Sequence, residues 1–73
     1  MDAKEKKIID AVSKVLSLQT NEIDLNTNSD NCLKWDSLAQ INIIISLEKI
    51  FNKKVKTSEI NNLKSIKNLI KYF

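Results

Sequence analysis

The chain predicts an all-α fold: a small bundle of three main helices plus one short helix, with a long loop between helices I and II. Three observations carry that expectation. The 73 residues include no Gly and no Pro, which disfavours tight hairpins, Gly-rich phosphate loops and β-rich folds. Apolar residues recur at helical spacing in several separate segments. Residues 18–35, rich in Asn, Asp, Ser and Thr, interrupt that pattern once and at length.

Residues 3–17 form the first helix. Ile8, Ile9, Val12, Val15 and Leu16 fall on one stripe, and Asp2 and Glu5 sit near its start, where negative charge suits the helix dipole. The residues of the connection that follows compete with helix by bonding their own backbone. A structureless loop of this length is uncommon in a compact domain, which points to a functional loop or to one that crosses the fold between antiparallel helices. Ile23, Leu25 and Leu33 are expected to pin it to the core.

The second helix runs from Ser37 to Phe51. Its apolar residues are Leu38, Ile41, Ile43, Ile44, Ile45, Leu47, Ile50 and Phe51. Projected at about 100° per residue they cover roughly two-thirds of the circumference, more than one core face needs. The polar arc holds Ala39, Asn42, Ser46 and Lys49. Leu38 and Ile45 flank one edge of the stripe, Ile43 and Ile50 the other. Each pair is open to two readings, deeper burial or contact with a partner.

Residues 52–56 break the pattern, with Val55 anchoring the turn. Thr57 or Ser58 is expected to cap a short helix through Asn62, with Glu59 in its first turn and Ile60 and Leu63 as contacts. Ser65 caps a last helix, in which Ile66, Leu69, Ile70 and Phe73 share a stripe.

Composition narrows the chemistry. With no His and one Cys, a His-based triad and a dedicated zinc site are excluded. The chain is therefore expected not to be an enzyme, and neither a catalytic nor a metal site is expected. The single Cys32 allows no internal disulfide, suggests a reducing compartment, and reads as a small, partly buried apolar residue. Nothing approaches the length of a membrane span, and the charged N-terminal segment is not a signal peptide. A cytoplasmic location and a single domain over residues 1–73 are the expectations. The net charge of +3 comes entirely from Lys. Arg is the usual residue for bidentate base and phosphate contacts, and the lysines are scattered. They read as a solvated surface rather than a nucleic-acid footprint.

Ser37 follows Asp36 and opens the longest apolar-periodic segment. A helix N-terminus has unpaired N–H groups and a partial positive charge, so it tolerates a phosphate well. On the residues alone, this serine is either a plain cap or the bearer of a phosphate-linked group.

The segment Leu33-Lys34-Trp35-Asp36-Ser37-Leu38, followed by Ile41-Asn42-Ile43-Ile44-Ile45-Ser46-Leu47-Glu48 and Phe51, resembles the acyl carrier proteins and their peptidyl and D-alanyl relatives. The resemblance extends over nearly the whole chain. It implies that Ser37 is esterified with 4′-phosphopantetheine, transferred from coenzyme A by a separate phosphopantetheinyl transferase with Mg²⁺. The arm's thiol would hold acyl or aminoacyl cargo as a thioester, delivered between a loading enzyme and a downstream acyltransferase or synthase. Asp36 would belong to the transferase recognition signal, and Leu38 would give partners an apolar contact beside the arm. The family also implies a monomer, here of the bacterial kind serving lipid, polyketide or secondary-metabolite biosynthesis.

The chain departs from the family pattern in two places. Lys34 stands where many carriers have Gly, whose backbone freedom Lys lacks. The positions that carry carboxylates along helix II in fatty-acid carriers hold Ala39, Asn42, Glu48 and Lys49, so only Glu48 keeps its charge. Steering toward a basic partner would be weak. Partner recognition would lean on Leu38, Ile43 and Ile45, with Glu48 beside them. A Trp before Asp-Ser-Leu resembles the subgroup of carriers outside or beside general fatty-acid synthesis, and a dedicated pathway is expected. Two alternatives compete: an unmodified helical interaction module, and a small basic nucleic-acid-binding domain.

Overall fold

A computed structural model describes residues 3–73. Asp2, expected beside the first helix, lies outside the described residues. Helix α1 spans Ala3–Leu16 and buries Ile8, Ile9, Val12 and Leu16. It ends one residue earlier than expected because Ser17 turns left-handed, with φ 56°. Leu18 N–H then donates to the Ser13 carbonyl at 2.9 Å, closing a Schellman turn. Gly is the usual residue at such a position, and a residue with a Cβ loses about 1–2 kcal/mol there.

The long connection is ordered by its own polar side chains. A 3-10 turn at Thr20–Glu22 is held by Gln19 N–H donating to Glu22 Oε2 at 2.8 Å. Asp24 Oδ1 accepts from Asn26 N–H at 2.8 Å, and Asn28 Oδ1 accepts from Asp30 N–H at 2.8 Å. Asn28 also forms an antiparallel bridge with Ser65. Around it Ser29 N–H donates to the Lys64 carbonyl at 2.9 Å, and Ile66 N–H donates to the Thr27 carbonyl at 3.0 Å.

Of the three apolar residues expected to pin this loop, only Ile23 is buried. Leu25 is 40% exposed and Leu33 wholly so. The turns bonded through Asp24, Asn28 and Asn31 satisfy the backbone without bringing those leucines inward, and Trp35 supplies the apolar anchor instead.

Helix α2 spans Ser37–Phe51, the limits read from the sequence. It closes at Asn52, again left-handed with φ 50°, where Lys53 N–H donates to the Glu48 carbonyl at 3.1 Å. Asn tolerates this conformation better than most side chains. Helix α3 is the short Thr57–Ile60, two residues briefer than expected. Neither Thr57 nor Ser58 caps it: the cap position is Lys56, which makes no side-chain cap bond. Helix α4 covers Ile66–Tyr72, with Ser65 Oγ accepting from Asn68 N–H at 3.1 Å.

Helix α1 packs on both α2 and α4, and α2 packs on α3. The innermost side chains are Ile8, Val12, Ile43, Leu47, Ile66 and Leu69; burying each apolar side chain of this size stabilises the fold by about 1.5–3 kcal/mol. Phe51 stacks on Phe73 with ring centroids 5.5 Å apart, so the C-terminal aromatic closes over the end of α2. Among the described residues no buried side-chain nitrogen or oxygen lacks a hydrogen-bond partner. No helix there is long and apolar enough to cross a membrane.

Candidate functional site

The start of α2 is built by Asp36. Its backbone is extended, φ −95° and ψ −173°. Its Oδ1 accepts from Ala39 N–H at 2.8 Å, while its carbonyl accepts the first helical bond from Gln40 N–H at 2.9 Å. This is N-capping by a short carboxylate, which satisfies one otherwise orphaned donor. With Asp36 as the cap, Ser37 becomes the first helical residue rather than the cap. Its side chain is exposed and makes no hydrogen bond among the described residues. The plain-cap reading of Ser37 is thereby removed.

Below Ser37 lies a buried polar network. Trp35 Nε1–H donates to Gln40 Oε1 at 2.7 Å. The Gln40 amide nitrogen donates to the carbonyls of Ile60 at 2.8 Å and Leu63 at 2.9 Å. One side chain thus ties the residue before Asp36 to the end of α3. Both partners are buried, where a fully satisfied network rigidifies its surroundings. Ser37 is therefore presented from a fixed base.

Two open clefts flank Ser37. One, about 270 Å³, is lined by Ser29, Trp35, Asp36, Gln40 and Lys64. The other, about 260 Å³, runs past Gln40, Ile41, Thr57, Ile60 and Lys64. An exposed, unengaged hydroxyl between two clefts fits a bulky phosphate-linked group, because nothing must be displaced to attach it.

The partner-facing residues read from the sequence do not stay together. Leu38 is 69% exposed and Ile45 44% exposed, and Ile41 joins them on the same stripe, three residues after Leu38 and four before Ile45. Ile43 is fully buried: it points at the core with Ile44 and Leu47, so its expected partner contact is corrected. Ala39 is buried as well, so it belongs to the core-side edge and not to the polar arc. Glu48 is half-buried, and its Oε2 accepts from Val55 N–H at 2.7 Å, tying down the turn after α2. Cys32 is a free thiol, half-buried against the core. Among the described residues no cluster of metal-binding side chains gathers.

Gln40 and Lys64 escaped the sequence reading. For Gln40 a signal was present, since it is the polar member of the stripe Gln40, Ile43, Ile44, Leu47. For Lys64 there was none: its place beside Ser37 depends on how α3 returns to α2.

Residues 6–73 match the family model described as the phosphopantetheine attachment site. The chain is 29% identical over 72 residues to an acyl carrier protein of Porphyromonas gingivalis, covering 99% of this chain and 92% of that one. It is 30% identical over 67 residues to an acyl carrier protein of the aster yellows witches'-broom phytoplasma, covering 92% and 88%. Against an acyl carrier protein of Phytoplasma australiense the identity is 31%, with the same coverage. An Asp-capped helix with a free leading serine, a family match over residues 6–73 and these bacterial relatives agree: the chain belongs to the acyl carrier protein family, whose members carry acyl groups on covalently attached 4′-phosphopantetheine and are not enzymes.

Proposed function

We propose that Ser37 is the attachment residue and that residues 1–73 act as a single carrier domain. The observation that carries this reading is the exposed Ser37 hydroxyl, free of hydrogen bonds, directly after the Asp36 cap. The bound group supplies a thiol at the end of a long arm, which holds acyl or aminoacyl cargo as a thioester. The chain's own residues do the rest. Asp36 fixes the start of α2 and presents a carboxylate to the phosphopantetheinyl transferase. The Trp35–Gln40 network keeps Ser37 from moving when an enzyme docks. Leu38, Ile41 and Ile45 offer partners an apolar strip that begins beside the arm.

The polar rim of that strip favours a dedicated pathway, whether in lipid, polyketide or secondary-metabolite synthesis. Asn42 and Lys49 flank it where a carboxylate would steer a basic enzyme, and Glu48 is partly spent on Val55. Its partners are a loading enzyme and a downstream acyltransferase or synthase, met as a monomer in the cytoplasm.

The test is intact-protein mass spectrometry after incubation with coenzyme A, Mg²⁺ and a broad-specificity phosphopantetheinyl transferase. The wild type is expected to gain one phosphopantetheine and Ser37→Ala none. An unmodified wild type with its helical circular dichroism intact would sink this reading and favour an interaction module that is never modified. Efficient extension of the loaded protein by a general fatty-acid ketosynthase would remove the dedicated-pathway part alone.

A further inference from the structure

Lys64 is the one cation lining the clefts on both sides of Ser37, and Asp36 is the one other charged residue there. The backbone around Lys64 is held by one bond of its own and by two at nearby residues. Its carbonyl accepts from Ser29 N–H at 2.9 Å, and Ile66 N–H donates to the Thr27 carbonyl at 3.0 Å. The carbonyl just before it, on Leu63, accepts from the Gln40 amide at 2.9 Å. Gln40 belongs to α2 itself, so the Cα of Lys64 is tied to the helix that Ser37 opens. Its ammonium has no hydrogen-bond or ion-pair partner among the described residues.

We propose that the Lys64 ammonium is the charge partner of the phosphodiester borne by Ser37, and that it fixes the direction in which the arm leaves the protein. The inference rests on Ser37 being the attachment residue. Its physical basis is charge balance. A phosphodiester adds one negative charge beside the Asp36 carboxylate, and two anions on adjacent residues repel. The N-terminus of α2 offsets part of that repulsion. Lys64 supplies the full positive charge that both clefts otherwise lack, on a fixed backbone. An ammonium offers three donors and the phosphodiester oxygens only accept, so the contact is a charge-assisted hydrogen bond. Lys34, nearer in sequence, lines neither cleft. The root of the arm is held while the cargo end stays free. Because the pair is solvent-exposed, salt weakens it.

The experiment uses the loaded protein. Wild type, Lys64→Gln, Lys64→Arg and the control Lys67→Gln are each loaded, checked by intact mass for one phosphopantetheine, and examined by ³¹P NMR at low and high NaCl. The phosphorus resonance of the wild type is expected to move with salt. Lys64→Arg and Lys67→Gln keep that movement, and Lys64→Gln loses it and already sits at the high-salt position. In the unmutated loaded protein, cross-relaxation from the Lys64 Cε protons to phosphorus gives the same answer without a substitution. A phosphorus signal identical in wild type and Lys64→Gln, with no such cross-relaxation, overturns the inference and leaves Ser37 attachment standing. No mass gain in the wild type overturns the attachment reading, and this inference with it.

Discussion

The two long faces of α2 carry similar amino acids and meet opposite fates. Gln40, Ile43, Ile44 and Leu47 are buried, whereas Leu38, Ile41 and Ile45 are largely exposed. Ile43 and Ile45 differ by two positions, yet Ile43 is fully buried and Ile45 is 44% exposed. Side-chain chemistry does not separate them. What separates them is which face α1 and α3 cover, and Gln40 marks that face by bonding across to Ile60 and Leu63. An exposed strip of large apolar residues on a small chain lowers solubility, so its persistence beside Ser37 suits a surface meant to be covered by visiting enzymes.

The sharpest way to break this contrast is to truncate both isoleucines. Ile43→Ala is expected to cost about 4 kcal/mol in chemical denaturation, through lost burial and a cavity that cannot collapse fully. Equal losses for Ile43→Ala and Ile45→Ala would abolish the distinction between the faces. Gln40→Leu follows at about 3 kcal/mol, because it leaves Trp35 Nε1–H and the Leu63 carbonyl without partners in a buried place, while the Ile60 carbonyl keeps only Leu63 N–H. A neutral result there would mean that water takes over the network. Leu38→Ser is expected to slow loading by the transferase about tenfold, a typical effect for an interface contact, with the unfolding midpoint unchanged. Asp36→Ala should remove about 1 kcal/mol of stability as a lost cap, read from the thermal midpoint of the apo protein. The smallest effect belongs to Ile45→Ala, within about 0.5 kcal/mol of the wild type.

Local signals were legible in the sequence and long-range ones were not. The limits of α2 were legible because the apolar-periodic run opens at Ser37 and breaks at residues 52–56; the structure adds the Asp36 cap and the left-handed Asn52 stop. The Ser65 cap was equally plain. The face assignment of Ile43 was not, because an apolar arc over roughly two-thirds of the helix leaves periodicity little to choose between. Leu25 and Leu33 were misread for a related reason. Hydrophobicity argues for burial, but the turns at Asp24 and Asn28 fix the loop backbone first, and Trp35 then fills the place available. The bonds from Gln40 to Ile60 and Leu63, and from Ser29 to Lys64, join residues twenty or more positions apart, beyond the reach of any local pattern. For the site itself, Ser37, Asp36 and Leu38 lay in one short motif, while Ser29, Thr57, Ile60 and Lys64 reach the clefts beside Ser37 from the first loop and from α3 and the turn after it.

Trp35 is the single indole of the chain, and it lines a cleft shared with Ser37 while its nitrogen is held by Gln40. The protein therefore contains its own optical probe two residues from Ser37. Excitation at the red edge of the protein absorption band reports that one place and nothing else. A group attached at Ser37, or an enzyme docked over it, is expected to change the polarity around a ring whose nitrogen Gln40 holds. Such steps can be followed in real time by stopped-flow fluorescence on the unlabelled carrier.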